Sequence, residues 1–194
     1  MNSPKDTFDE VWHHLRQGRG LSNTGDDPVY YLVFSPARIL DVKRMIPEWR
    51  AKLQRNGWKL ETFSVAEAVL KIFGSHEFRE IWLESEANHS YDPESLGQIR
   101  DTLADALTSE DRLKNMIVDR LQSLEGSENT VLMLTDLESL HPFLRVGVIE
   151  QKLSGKFTVP TVILYPGERD GKTSLKFLGF YPSDGNYRSV HFGG

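Results

Sequence analysis

Cysteine is missing from this sequence of 194 residues. Its absence excludes disulfides, thiolate metal sites, iron–sulfur clusters and cysteine nucleophiles. Long apolar runs are missing too, since none approaches the roughly 18 residues that a membrane-spanning helix needs. The first residues carry Lys5 and Asp6 without an apolar core, unlike a secretory signal. These absences predict a cytoplasmic protein that does not contact a membrane.

The sequence has no excess of positive charge. Its net charge of -5 at neutral pH gives no bulk attraction to nucleic acid, so only a local basic patch would bind DNA or RNA. Ten phenylalanines and four tryptophans supply enough apolar area for a substantial core. We therefore expect a single globular domain over residues 1–194.

Glycine is absent where a nucleotide-binding domain would need it. Residues 29–34 form an apolar, β-favouring run, and Ser35-Pro36-Ala37-Arg38-Ile39 leads from it into a helical pattern. A phosphate loop at this junction needs glycines and free backbone N–H groups, and Pro36 has no N–H to donate. The junction predicts a nucleotide-binding-like architecture without a functional phosphate loop.

Strand and helix patterns alternate along the chain. Helical spacing predicts an N-terminal helix at 6–17 and a helix after the first strand, with Pro47 producing a kink or starting a second helix. Further strands are expected at 58–65, 131–134 and 161–165, and a helical insert occupies about 75–124. Residues 174–180 read as the antiparallel partner of the preceding strand. The predicted fold is α/β, with a mostly parallel sheet between two helical layers, P-loop-NTPase-like or Rossmann-like, and a C-terminal antiparallel edge hairpin.

Two motifs suggest nucleotide chemistry. Gly171-Lys172-Thr173 resembles the end of a phosphate loop, but the first glycine is misplaced and a strand follows, which favours a hairpin turn. Asp136, with Glu138 nearby, follows an apolar strand as a magnesium-holding acid would. Asp136 could instead cap the next helix or fix a loop at the end of the strand. We treat the pair as a vestigial acidic site.

No complete catalytic or metal site is recognisable in the sequence. The six histidines lie in no ligand spacing typical of zinc, and no serine-hydrolase elbow is present. The sequence therefore predicts no catalytic residues, no bound metal and no cofactor.

Two segments are candidate partner contacts. The basic residues after the first strand include Arg38, Arg44, Arg50 and Arg55, although acids interrupt them and an ordinary solvated helix face explains them as well. Tyr187 and Arg188 lie in a tail rich in aromatic and turn-forming residues, where exposed tyrosine and arginine make good interface anchors. A packed tail accounts equally well for the same composition.

Several runs of the chain together resemble the BrxB family, small components of bacterial BREX phage-exclusion systems. They are Tyr-Tyr-Leu-Val-Phe-Ser-Pro at 30–36, Thr-Asp-Leu-Glu at 135–138, His-Pro-Phe-Leu-Arg at 141–145, Val-Pro-Thr-Val-Ile-Leu-Tyr-Pro-Gly at 159–167 and Asp-Gly-Asn-Tyr-Arg at 184–188. The resemblance implies a multi-protein defence complex with a large ATPase, a DNA methyltransferase and a phosphatase-like PglZ protein.

The resemblance supplies no catalytic residues. We therefore expect a non-catalytic adaptor that binds other BREX proteins, with the PglZ-like protein as its expected partner. The alternative is a nucleic-acid-binding subunit that uses the basic segment 38–55, and a weak nucleotide-binding protein is a third hypothesis.

Overall fold

The apolar runs of the sequence form the strands of a central sheet, and the amphipathic segments form helices around it. The computed structural model describes residues 3–17, 27–89, 93–171, 174–183 and 189–194. The helices are α1 Pro4–Arg16, α2 Ile39–Arg55, α3 Val65–Gly74, α4 Arg79–His89, α5 Pro93–Thr108, α6 Arg112–Ser123 and α7 Val146–Leu153. The strands are β1 Val29–Phe34, β2 Lys59–Ser64, β3 Thr130–Thr135, β4 Thr161–Asp170, β5 Ser174–Phe177 and β6 Val190–Gly193. Short 3-10 helices span Pro36–Arg38, Ser109–Asp111 and Leu137–Leu140.

The sheet has the strand order β2-β3-β4-β1-β6, and every pairing along this path is parallel. All residues of β1 and β3 are buried, as expected for strands covered on both faces. The prediction of an α/β fold with a mostly parallel sheet flanked by helices is confirmed.

The antiparallel hairpin forms as predicted, and its second strand, β5, branches from the path of the parallel sheet. β5 pairs with the last four residues of β4, a central strand, from Gly167 against Phe177 to Asp170 against Ser174. The outer strand next to β1 is β6, which pairs with β1 in parallel. β6 was not predicted from the sequence, because its four residues follow several turn-forming residues and are too few to be recognised as a strand from their pattern alone.

Two hydrophobic cores lie on opposite faces of the sheet because neighbouring side chains of a strand point to opposite sides. Tyr30, Leu32 and Phe34 of β1 join the core with α1 and α2, where the Phe8 and Trp49 rings stack at 4.4 Å. Tyr31 and Val33 join the second core, which includes side chains of α3, α6 and α7. Helices therefore cover both faces of the sheet.

α2 is one continuous helix with Pro47 inside it. Of the two alternatives predicted at Pro47, a second helix does not start there, and the kink stays a prediction. Proline costs the helix one hydrogen bond, the one that would reach the Lys43 carbonyl. Val42, Trp49 and Leu53 lie on one face on either side of Pro47, and all three are buried. Their burial holds both halves of the helix against the same core.

The segment between β2 and β3 is helical, as predicted for about 75–124. It contains α4, α5 and α6, and α5 starts at Pro93, where the proline without an N–H occupies the first helical position. Within the described ranges, no helix combines the length and the apolar character required to cross a bilayer.

Candidate functional site at the carboxyl edge of the sheet

Three elements bring polar side chains together beyond the ends of β2 and β3. These two strands run in parallel and in register, from Lys59 beside Thr130 to Ser64 beside Thr135. Their carboxyl ends therefore meet at the same edge, and Asp136 follows β3 directly. Glu138 lies in the next 3-10 helix, and the start of α2 contributes Lys43.

The side chains of the site are joined by charge-assisted hydrogen bonds, and Asp136 takes part in most of them. Its Oδ2 accepts from the Ser64 hydroxyl at 2.7 Å and from the Thr135 hydroxyl at 2.6 Å. The Lys43 ammonium lies 2.6 Å from the Asp136 Oδ1 and 2.6 Å from the Glu138 Oε1. Lys43 therefore neutralises two carboxylates that would otherwise repel each other.

The electrostatics of the site keep these groups charged. Burial raises the pKa of Asp136, but hydrogen bonds from Lys43, Ser64 and Thr135 outweigh it and leave the pKa below its usual value. Burial likewise lowers the pKa of Lys43, and its two carboxylate partners more than offset this and raise it. The Asp136 side chain is only 17% exposed, so solvent screens its pair with Lys43 less than a surface ion pair.

This geometry distinguishes between the structural roles considered for Asp136. Asp136 is the N-cap residue of the 3-10 helix that follows, and its carbonyl accepts from the Ser139 N–H at 3.0 Å, but its side chain makes no capping hydrogen bond. It instead joins the ends of β2 and β3 to α2, which is the loop-fixing role. The backbone of Asp136 is left-handed, with φ of 63°, and this turns the carboxylate back over the strand ends.

Lys43 occupies the place between the carboxylates where a cation would sit. A divalent metal would have to displace its ammonium and compete with two hydroxyl donors for the Asp136 oxygens. Among the residues that the structure describes, no group of three or more histidine, aspartate or glutamate side chains is arranged to hold a metal ion.

The predicted basic residues do not join this site. Arg38 and Arg44 both approach Asp41, at 3.4 and 4.0 Å. Arg50 donates to the Thr62 hydroxyl at 3.4 Å, and Arg55 donates to a carbonyl of its own helix. Arg38 precedes α2, and Arg50 points to a different side of α2 from Arg44 and Arg55. The other two predicted contacts, Tyr187 and Arg188, lie outside the described residues.

Sequence reasoning missed Lys43, Ser64 and Thr135 as members of the acidic site. Lys43 was counted with the basic segment, although it is the basic residue that reaches Asp136. A signal for Ser64 existed, because it lies next to the last residue of the predicted strand 58–65, and Thr135 directly follows the predicted strand 131–134. Two parallel strands that end in hydroxyl residues place those hydroxyls at one edge.

A second polar and aromatic cluster follows the 3-10 helix at Leu137–Leu140. The His141 Nδ1 lies 2.5 Å from the Tyr181 hydroxyl, and the Arg145 guanidinium lies 5.9 Å from the centre of the Tyr181 ring. Phe180 packs edge-on against His141 and is largely exposed. Exposed aromatic and arginine side chains of this kind are typical anchors of protein interfaces.

The fold and the site define a class: an α/β protein with a mostly parallel sheet, whose carboxyl edge carries an internally paired acidic site. The family model described as BREX protein BrxB matches residues 61–192, about two thirds of the chain. The chain therefore belongs to the BrxB family, a component of BREX phage-defence systems. Neither the curated proteins nor the solved structures yield a significant match.

The matched region contains part of the acidic site. Ser64, Asp136 and Glu138 lie inside it, as does the aromatic cluster around His141, whereas Lys43 and the basic segment lie before it. The family assignment implies other BREX proteins as partners of this chain.

Proposed function

We propose that this chain is a non-catalytic adaptor in the assembly of a BREX complex and that it binds the PglZ-like phosphatase-fold component. The observation that carries the proposal is the ion pair of Lys43 with Asp136 and Glu138. In open α/β sheets, ligands bind beyond the carboxyl ends of the strands. Here that position at β2 and β3 is occupied by the chain's own lysine.

The same pairing supports a P-loop-like origin for the scaffold. In P-loop NTPases, a lysine before the first helix faces the phosphates, and an acid after a neighbouring strand helps to hold magnesium. In this chain, the lysine at the start of α2 and the acid after β3 contact each other directly at 2.6 Å. The proposal is a nucleotide-binding-like scaffold that is now used for its surface.

Co-purification tests the adaptor role. The tagged chain is mixed with each BREX component in turn, at micromolar concentration and moderate salt, and retained protein is measured. We expect the PglZ-like component to be retained and the large ATPase and the methyltransferase to bind less or not at all. If no component is retained, the adaptor proposal is wrong.

Thermal unfolding with ATP and magnesium tests the non-catalytic part of the proposal. A ligand that binds the folded state raises the melting temperature. We expect no shift for the wild-type chain, because Lys43 is already engaged. A clear, saturable shift that disappears in Lys43→Met would support nucleotide binding instead.

A nucleic-acid-binding role is the second candidate, favoured by the exposure of Arg44 and Arg55. These residues lie eleven positions apart on α2, so they share one face of the helix. Binding through them would fall steeply with salt and would be lost in the double variant Arg44→Glu, Arg55→Glu. Arg79→Glu with Arg100→Glu changes the net charge equally elsewhere and serves as the control. Equal DNA binding by both double variants would rule out this role for the segment.

A further inference from the structure

The helical pair between α3 and α6 has little core of its own. We call residues 76–105, which contain α4 and most of α5, the acidic arm. Trp82 is the one buried side chain among those that the structure describes in this range. Its ring packs against Phe73 at 6.0 Å and His76 at 4.4 Å, which fastens the start of the arm to the end of α3.

Large apolar side chains on the arm are exposed. Phe78, Ile81, Leu83 and Leu96 are each between 43 and 61% exposed. Phe78 is the residue before α4 and lies three positions from Ile81, so these two side chains are neighbours at the start of the helix. Leu83 is two positions after Ile81 and therefore lies on the other side of α4. Helices of this length are marginal without a packed apolar face, and exposed apolar clusters commonly mark an interaction surface.

The arm also concentrates the negative charge of the protein. Residues 76–105 contain eight acids and two arginines, a net charge of -6, whereas the whole chain carries -5. The remainder of the chain is therefore close to neutral, at +1. Exposed glutamates flank the apolar side chains of α4, among them Glu77, Glu80, Glu84 and Glu86.

We propose that the acidic arm is the surface on which a basic amphipathic segment of another BREX protein docks. Its apolar residues would cover Phe78 and Ile81, and its lysines or arginines would face the glutamates around them. A second copy of this chain in a symmetric contact would place the same negative surfaces together, and nucleic acid would be repelled. The proposal rests on the adaptor function and specifies the surface it uses.

Matched pairs of variants in the full-length chain test the surface. Ile81→Ser removes an apolar side chain from the arm, and Leu40→Ser removes one of similar exposure from α2. Glu80→Lys with Glu84→Lys reverses two charges beside Ile81 on the arm, and Glu125→Lys with Glu128→Lys reverses two exposed acids elsewhere. Affinity for the full-length PglZ-like protein, and for any other BREX component that co-purifies, is measured for each variant.

We expect each arm variant to weaken binding at least tenfold and each control to stay within about twofold of wild type. Binding by the wild-type chain should weaken as salt rises from about 50 to about 300 mM. Thermal melts confirm that the variants fold, which we expect because the altered side chains are exposed.

Two negative results separate this inference from the adaptor function. If the wild-type chain binds a component and the arm variants bind it equally well, the adaptor function stands and the arm is not its surface. If the wild-type chain binds no component, both proposals fail. Sedimentation of the chain alone tests whether the arm binds a second copy of the chain. A dimer that dissociates in Ile81→Ser would show that it does and would overturn the inference.

Discussion

At the scale of single residues, the ion pairs of Lys43 are the main feature of the acidic site. An aspartate and a glutamate after a buried strand suggest metal chemistry, and the ammonium between them turns the pair into a structural clamp. The clamp joins α2 to the end of β3, while Ser64 adds the end of β2.

Asp136→Asn tests the clamp. Asparagine tolerates the left-handed backbone at this position, so the substitution removes the charge with little backbone cost. We expect a loss of about 1–3 kcal/mol in the free energy of unfolding, measured with urea, because Lys43 loses a charged partner. Asp41→Asn, in an exposed pair with Arg38, should cost less than about 1 kcal/mol. Equal effects of the two substitutions would contradict a structural role for Asp136.

His191 makes stability depend on pH. Burial, followed by the nearby charge of Arg169, lowers the pKa of His191 from 6.5 to about 4. A histidine with a lowered pKa favours the folded state above its unfolded pKa, and that contribution is lost as pH falls from 6.5 towards 4. We expect a slope of up to about 1.4 kcal/mol per pH unit in this window.

His191→Phe should flatten this slope while keeping a ring against Tyr31, which contacts His191 edge-on at 5.3 Å. His13→Gln, at an exposed histidine of α1, is the control and should retain the wild-type slope. Urea unfolding at a series of pH values gives the comparison. An unchanged slope in His191→Phe would assign the pH dependence to other groups.

At the scale of elements, the hairpin of β4 and β5 depends on a close approach at Gly167. A Cβ at this position would overlap the Lys176 carbonyl oxygen and come within 2.6 Å of the Tyr165 ring. The two strands pair here, with Gly167 opposite Phe177. Any side chain at this position would push the strands apart.

Gly167→Ala should therefore destabilise the protein by about 1–3 kcal/mol, as overpacking does elsewhere. Gly97→Ala provides a matched comparison inside α5, where an added Cβ meets no heavy atom within 4 Å. It should stabilise by about 0.5–1 kcal/mol, because alanine restricts the unfolded chain and favours helix. Thermal melts of the two variants should shift in opposite directions, and a shared direction would contradict this account.

At the scale of the whole molecule, the sheet separates two cores and the helical insert is anchored through α6. Leu121, Ile117 and Leu113 of α6 are almost fully buried in the core that also contains Tyr31 and Leu132. The insert therefore shares its core with the sheet, although the acidic arm extends from it with little burial. This arrangement agrees with the prediction of a single domain over 1–194, which stays a prediction.

Leu121→Ala tests this coupling. The side chain is fully buried, so we expect a loss of about 2–5 kcal/mol, whereas Leu40→Ala at an exposed position should change stability little. Far-UV and near-UV circular dichroism should give coincident transitions that shift together. Separate transitions for helices and tertiary packing would show that the insert and the sheet unfold as independent units.

Local patterns predicted most of the elements correctly. The apolar run at 29–34 is β1 with the predicted bounds, and the predicted strands at 131–134 and 161–165 lie within β3 and β4. Such runs are recognisable because strands buried on both faces must be apolar throughout. β6 was not predicted, because it is stabilised by pairing with β1, and a distant pairing leaves no pattern in the local sequence.

The sequence by itself determined the α/β class, the family resemblance and the absence of a glycine-rich phosphate loop, since each depends on residues close together in the chain. Only the tertiary structure showed which side chains the acidic pair contacts. Lys43 and Asp136 are distant in the sequence, and they meet because α2 begins and β3 ends at the same edge of a parallel sheet. The same holds for the acidic arm. Its negative charge can be counted in the sequence, but the exposure of its apolar residues depends on how the folded chain packs.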